Sequence, residues 1–117
     1  MSFVRNEAEI PVVCSSMFGG AGEIEQHKLL LAPEEMLGKG RLFNRNVVNP
    51  GCELGWHVHN GDCETYYILS GTGEYNDNGK IVQVGPGDVT FVNSGEGHSI
   101  KNTGDVPIEI IAMILYV

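Results

Sequence analysis

Residues 51–71 read GCELGWHVHNGDCETYYILSG, and the spacing of three side chains in this stretch decides the fold. His57 and His59 are two residues apart, so on a strand they project from the same face, about 7 Å apart along it. Residues 60–63 suit a hairpin loop, which would place Glu64 opposite His59 on that same face. Two imidazoles and a carboxylate are apt ligands for a divalent transition metal.

Residues 51–71 and 87–102 resemble the two sequence motifs of the cupin superfamily. The first cupin motif is Gly, five residues, His-x-His, a short spacer, Glu, six residues and Gly, and its positions are held here by Gly51, His57, His59, Glu64 and Gly71. The positions of the second motif are held by Gly87, Asn93, Gly95, His98 and Asn102. Asn93 stands where the family usually has proline. Because asparagine also tolerates turn conformations, this departure matters little for metal binding.

The resemblance implies a double-stranded β-helix, or jelly-roll barrel, with one metal inside it. It also implies that His98 joins His57, His59 and Glu64 as the fourth ligand, and that Asn102 ties down nearby backbone. In a six-coordinate metal, three imidazoles and one carboxylate leave two positions for water or substrate. Ligand types do not choose among manganese, iron, zinc and nickel.

Short strands separated by turns extend on both sides of the motifs and predict an all-β fold. Strands are predicted over residues 27–31, 41–48, 56–59, 64–69, 73–76, 80–84, 89–92, 98–102 and 108–116. Asp77-Asn78-Gly79 is a hairpin signal. Residues 32–40 favour at most two helical turns, and residues 1–22 are predicted to be irregular. The length fits one cupin domain over residues 1–117, with its metal-binding core in residues 41–117.

The net charge of −8 argues against nucleic acid or an anionic membrane surface as a partner. No apolar run is long enough to span a membrane. The N-terminal residues lack the pattern of a secretory signal. Three cysteines without a Cys-x-x-Cys spacing favour free thiols, and hence a cytoplasmic location.

Three further residues are candidates for the pocket. Tyr66 shares the ligand face by the period-two rule and could contact substrate or a metal-bound water, although a core aromatic is the alternative. Arg41 and Arg45 lie on the preceding strand, where an inward arginine would anchor a carboxylate or phosphate. The alternative for both arginines is a solvated strand face. His27 is expected to be a surface or hydrogen-bonded residue.

Trp56, Val58 and Tyr67 are predicted on the face opposite the ligands. We expect Trp56 and Tyr67 to belong to one buried interface, and since single-domain cupins commonly pair, a homodimer is the expected assembly. Cys63 adjoins Glu64, so it is predicted to point away from the metal.

The function hypotheses all start from a small-molecule ligand at an open metal site. The first is a metal-dependent enzyme for a small oxygen-rich acid or carbonyl compound, with oxalate-decarboxylase-like, oxidase or dioxygenase chemistry, or a sugar-phosphate isomerase. The scarcity of basic residues favours a small carboxylate or a neutral oxygenated compound over a sugar phosphate. The second is a protein that binds an acid or sugar without turning it over. The third, a purely structural metal, would normally have a closed site.

Overall fold

Alternating apolar and polar residues form two antiparallel sheets that pack face to face. The protein, examined as a computed structural model, is described here over residues 2–117. Its strands are β1 (Val12–Ser15), β2 (Ile24–Leu30), β3 (Gly40–Val48), β4 (Glu53–Val58), β5 (Asp62–Ser70), β6 (Gly73–Asp77), β7 (Lys80–Val84), β8 (Val89–Val92), β9 (Gly97–Lys101) and β10 (Ile108–Tyr116). Single 3₁₀ turns cover Glu7–Glu9 and Glu34–Met36. One sheet has the strand order β1-β2-β3-β10-β5-β8, and the other has the order β4-β9-β6-β7.

The core lies between the two sheets and follows the period-two pattern of the strands. On β10, every second residue from Ile108 to Ile114 is buried, and on β5 Tyr66 and Ile68 are buried in the same way. Ile100 of β9 enters the core from the four-stranded sheet. Burial of these apolar side chains on both inner faces is the main favourable term that holds the sheets together. The all-β jelly-roll prediction is therefore confirmed.

The hairpin predicted at Asp77-Asn78-Gly79 is present between β6 and β7. Asp77 pairs with Lys80, which leaves Asn78 and Gly79 as the two turn residues. Both have positive φ angles, 50° and 105°, as a tight two-residue hairpin turn requires. Asparagine and glycine adopt these angles at low cost, which explains why the sequence signal was reliable here.

The hairpin predicted between the strands of the first motif is wrong. β4 pairs with β9, whereas β5 pairs with β10 and β8, so the two strands belong to different sheets. The link between them is held by the turn at residues 93–96: His59 N donates to Glu96 O and Gly95 N donates to His59 O. β4 and β5 each have one inward face. Because the two strands face each other across the core, both inward faces are buried.

The prediction that residues 1–22 are irregular is also wrong in part. β1 pairs with β2 in a register that sets Val12 against His27 and Ser15 against Ile24. Val12 and Val13 are both exposed, so β1 lacks the alternation of a half-buried strand and is held by main-chain hydrogen bonds. Within residues 2–117, no helix is long and apolar enough to cross a membrane.

Candidate metal centre

Four side chains from both sheets meet near one end of the sandwich. His57 lies on β4, His59 directly after it, Glu64 on β5 and His98 on β9. Glu64 Oε1 is 2.9 Å from His98 Nε2, 3.1 Å from His59 Nε2 and 3.5 Å from His57 Nε2. The Nε2 atoms of His57 and His98 are 3.0 Å apart. The structure thus brings together the four residues that the resemblance implies as metal ligands.

The spacing of the four ligand atoms fits a metal ion. One such atom from each residue lies within 4.8 Å of all the others. Metal bonds of about 2.1 Å separate neighbouring ligands by about 3.0 Å in an octahedron and about 3.4 Å in a tetrahedron. The contacts of 2.9 to 3.5 Å fall in this range. His57, His59, Glu64 and His98 could therefore hold one ion.

The other ring nitrogen of each histidine is fixed by a hydrogen bond. His57 Nδ1 donates to Gly55 O at 2.8 Å, and His59 Nδ1 donates to Asp62 Oδ1 at 2.8 Å. His98 Nδ1 lies 2.7 Å from the hydroxyl oxygen of Tyr75, within hydrogen-bonding distance. These bonds orient the three rings so that Nε2 of each faces the cluster, where a bound metal would take the place of any proton on Nε2.

The electrostatics of the cluster act differently on Glu64 and on the histidines around it. Burial alone would raise the pKa of Glu64, but hydrogen bonds from the three histidines outweigh it and hold this pKa well below its ordinary value. Burial lowers the pKa of His98 and so favours its neutral form. The hydrogen bond to Glu64 raises the pKa of His59. The cluster therefore favours the ionised form of Glu64 and the neutral form of His98, whereas Glu64 favours the protonated form of His59.

A small cavity of about 40 Å³ adjoins the cluster. It is lined by Met17, Phe18, Arg41, Leu42, Asn46, Leu54, His57, His59, Glu64, Tyr66 and Ile114. This volume holds roughly three water-sized groups. Asn46 Oδ1 and the hydroxyl of Tyr66 are buried without a hydrogen-bond partner among the described residues. Such groups are costly to leave unpaired, so both are available to a polar ligand.

A loop from the N-terminal part of the chain covers this cavity. Gly55 N donates to Met17 O, and Glu53 N donates to Ala21 O, so the loop lies backbone against backbone on β4. A Cβ atom on Gly55 would lie 2.4 Å from Phe18 O, so only glycine permits this approach. The loop places Met17 and Phe18 in the cavity wall.

The three pocket candidates occupy different positions. Tyr66 lies in the site, and its ring stacks on that of His98 with centroids 4.8 Å apart. Arg41 lies at the rim, where Nε donates to Asp62 Oδ2 at 2.7 Å. Arg45 is not brought to the cluster, because it alternates with the buried Asn46 and its guanidinium pairs with Glu109 at 2.6 Å.

Sequence reasoning missed four residues that shape the site: Asp62, Tyr75, Asn46 and Phe18. The period-two pattern of β3 places Asn46 inward, in line with the buried Val48, and this signal could have been used. The contact of Tyr75 with His98 depends on the pairing of β6 with β9, which no local pattern reveals.

The prediction of one outer patch containing Trp56 and Tyr67 is wrong. Both side chains point outward and are exposed, but Trp56 lies on the four-stranded sheet and Tyr67 on the six-stranded sheet. The error follows from the predicted hairpin, which would have put them in one sheet. Cys63 lies outside the cluster as predicted, and His27 lies 3.4 Å from Arg45 on the outer face.

Comparison with known proteins adds three similarities. The profile of the cupin domain family matches residues 45–114. An "oxalate-binding protein" of Thermotoga maritima is 47% identical over 112 residues, which cover 96% of this chain and 92% of that protein. The crystal structure of a "predicted oxalate decarboxylase" from Thermotoga maritima superposes with a TM-score of 0.92 at 46% identity, covering 98% of this chain and 100% of that one.

A more distant structure extends the likeness of the fold. The polyketide cyclase RemF from Streptomyces resistomycificus superposes with a TM-score of 0.75 over 100% of this chain and 86% of its own. At 17% identity, this match concerns the fold alone.

Proposed function

The chain belongs to the cupin family, and we propose that it binds one divalent transition metal through His57, His59, Glu64 and His98 and captures a small oxygen-rich acid beside it. Oxalate is the acid that the cavity and the relatives favour. The observation that carries the proposal is the convergence of three oriented imidazoles and one ionised carboxylate on one point. A Thermotoga maritima relative of almost the same length is an oxalate-binding protein, which supports this choice of ligand.

The bound metal would act as a Lewis acid towards the oxygens of the acid. With four protein ligands, a six-coordinate ion has two positions left, which suits the two oxygens of a chelating dicarboxylate. Manganese, iron, zinc and nickel all accept histidine and carboxylate ligands. The protein groups that would orient the acid are the terminal nitrogens of Arg41, the hydroxyl of Tyr66 and the amide of Asn46.

The size of the cavity favours a very small ligand. Its 40 Å³ is far below the roughly 300 to 1,000 Å³ of sites for drug-sized molecules. A sugar phosphate would need more space and more cationic partners than Arg41 alone. The isomerase hypothesis is therefore less well supported than capture of a two- or three-carbon acid.

Decarboxylation of the bound acid is the second candidate function, and Tyr66 is the observation that favours it. Splitting hydrogen oxalate into carbon dioxide and formate breaks the C–C bond and requires a proton on the carbon that becomes formate. Burial raises the pKa of Tyr66 well above its ordinary value, so the hydroxyl keeps its proton. From its place on the cavity wall, Tyr66 would hold the acid by a hydrogen bond and keep a proton close to it.

Metal content and oxalate binding test the proposal together. We expect elemental analysis to find one manganese per wild-type chain. Calorimetry should detect oxalate binding only when the protein is loaded with manganese. His98→Ala should lose both, while His27→Ala, which changes a histidine on the outer face, should lose neither. Circular dichroism would show whether both variants are folded. A folded His98→Ala that still holds one metal per chain would contradict the ligand assignment.

Product analysis separates an enzyme from a binding protein. Formate in step with carbon dioxide would indicate decarboxylation, whereas hydrogen peroxide formed from dioxygen would indicate oxidation. Tyr66→Phe should slow formate production by at least tenfold with little change in metal content, as expected for loss of a group that holds the acid. Tight oxalate binding without either product would leave capture as the function and exclude decarboxylation.

A further inference from the structure

A second cavity lies beside the metal cavity and differs from it in chemistry. Its volume is about 220 Å³, and it is lined by Lys28, Leu30, Leu31, Ala32, Arg41, Leu42 and Asn44. Arg41 and Leu42 line both cavities and form a common wall between them. None of the four metal-site residues lines the second cavity.

Asn44 presents an unpaired amide to this cavity. The side chain is 1% exposed, and neither Oδ1 nor Nδ2 has a hydrogen-bond partner in the described part of the chain. Buried polar side chains are almost always hydrogen-bonded, so a primary amide with both ends free is unusual. The amide offers one donor group and one acceptor group to whatever enters the cavity.

Lys28 supplies a positive charge next to this amide. Lys28 and Asn44 are register partners on β2 and β3, so both project from the same face of the sheet. The hydrogen bond of Lys28 Nζ to Gln26 Oε1 is long, at 3.4 Å, and within residues 2–117 no carboxylate forms an ion pair with it. Burial lowers the pKa of Lys28, as expected for a partly desolvated ammonium that lacks a counter-ion.

Arg41 adds a second cationic group at the rim. Its Nε is engaged by Asp62, which fixes the guanidinium in place. The two terminal nitrogens are available as additional donors. Two cationic side chains around one cavity are notable in a chain whose net charge is −8.

We propose that this second cavity is a binding site for a small hydroxylated carboxylic acid, separate from the metal centre. The carboxylate would lie between the Lys28 ammonium and the Arg41 guanidinium, and the amide of Asn44 would exchange hydrogen bonds with the hydroxyl group. The apolar walls formed by Leu30, Leu31 and Leu42 suit a short carbon skeleton. The site requires no metal, so it can be tested on metal-free protein, although Arg41 lines both cavities and could serve only one ligand at a time.

A carboxylate fits this cavity better than a phosphate. Phosphate sites usually present several backbone N–H groups or more than one unengaged cation. Here Arg41 already shares its charge with Asp62, which leaves one full positive charge for the ligand. A monoanion balances that charge, and the acceptor atom of Asn44 additionally requires a donor such as a hydroxyl.

Calorimetry with D-glycerate on the chelator-treated full-length chain tests the site without any contribution from a metal. We expect saturable binding of one glycerate per chain. Lys28→Met should weaken it at least tenfold, because it removes a charged hydrogen-bond donor. Lys80→Met, which changes an exposed lysine on β7, is the matched control and should bind as the wild type does. Equal affinity in Lys28→Met and Lys80→Met would overturn the proposal.

A second variant distinguishes loss of the binding site from loss of the folded structure. Asn44→Asp keeps the shape of the side chain but places a carboxylate beside Lys28, so the charge of the cavity is neutralised and glycerate should no longer bind. Thermal melting would confirm that the variant is folded. Undiminished glycerate binding by a folded Asn44→Asp would contradict the site. Binding of inorganic phosphate in place of glycerate would overturn the ligand class.

Discussion

The ring of Phe18 stacks on the imidazole of His57, with the centroids 4.1 Å apart and the planes inclined by 15°. Phe18 has a φ of 54°, in the left-handed region that residues other than glycine rarely adopt. The backbone bonds of the loop to β4 hold it in this conformation, and the stacking contact offsets part of the cost. The loop therefore places an aromatic ring over one ligand of the candidate metal centre.

The contact between Phe18 and His57 predicts slower exchange of the metal. Aromatic stacking contributes about 0.5–1.5 kcal/mol, so Phe18→Ala should speed release of the metal to a chelator by about twofold to tenfold. Stopped-flow chelation from the manganese-loaded protein measures this rate. Phe91→Ala removes a comparably exposed phenylalanine from β8 and should release metal at the wild-type rate. Identical rates of metal release for the two variants would show that Phe18 does not slow the exchange of the metal.

The hydroxyl of Tyr75 is predicted to tune metal affinity through His98. Because this hydroxyl lies 2.7 Å from His98 Nδ1, Tyr75→Phe removes the partner that fixes the ring while preserving its packing. Loss of such a supporting hydrogen bond typically lowers metal affinity by about tenfold to a hundredfold. Competition with a chelator of known affinity would reveal the change. Tyr116→Phe, an exposed tyrosine at the end of β10, should leave the affinity unaltered; an equal loss there would refute the role of Tyr75.

Glu64 is predicted to make the metal-free protein sensitive to acid. Its folded-state pKa lies below the unfolded value of about 4.3, because hydrogen bonds from three histidines favour the ionised form. The resulting stabilisation is therefore fully present above pH 4.3 or so and is lost as the pH falls towards the folded pKa. Urea unfolding of chelator-treated protein between pH 7 and pH 3 measures this loss.

Two variants isolate the contribution of Glu64 to that acid sensitivity. Glu64→Gln cannot ionise, so its free energy of unfolding should vary less between pH 5 and pH 3 than that of the wild type. Glu23→Gln removes an exposed carboxyl and should retain the wild-type profile. A Glu64→Gln profile as steep as that of the wild type would locate the acid sensitivity elsewhere.

The shared face of His57 and His59 was predictable because spacing and strand periodicity are local properties, whereas His98 was implied by the resemblance to the cupin family. His57 and His59 share a face at any strand pairing, and the same rule placed Tyr66 and Ile68 inward on β5. The turn at Asn78 and Gly79 was predictable for a similar reason, since its residues determine its geometry.

The partition of strands between sheets was not predictable from these patterns. A period of two tells which face a side chain occupies, but not which strand lies beside it. A hairpin and a crossing between sheets both bring Glu64 close to His59, so the two residues lie together in spite of the incorrect pairing. The prediction of a shared outer patch of Trp56 and Tyr67 depended on which sheet each strand belongs to, and it was wrong.

The corrected positions of Trp56 and Tyr67 sharpen the expectation of a homodimer. Tyr67 of β5 lies opposite Val89 of β8 on the outer face of the six-stranded sheet, close to the exposed Leu69 and Phe91. Contiguous exposed apolar side chains of this kind mark interfaces, and a stable one buries about 800 Å² on each partner. We therefore expect the chain to pair through this face.

Charge substitution on the two outer faces tests which of them is covered in the dimer. Light scattering coupled to size exclusion should give the wild type twice the 12.7 kDa mass of the chain. Tyr67→Glu should give monomers, because pairing would bury an unpaired carboxylate. Trp56→Glu should remain dimeric, because Trp56 lies on the other sheet. The two side chains are similarly exposed, Trp56 at 47% and Tyr67 at 45%, so they form a matched pair. The reverse result would assign the interface to the four-stranded sheet, and a monomeric wild type would rule out pairing through either face.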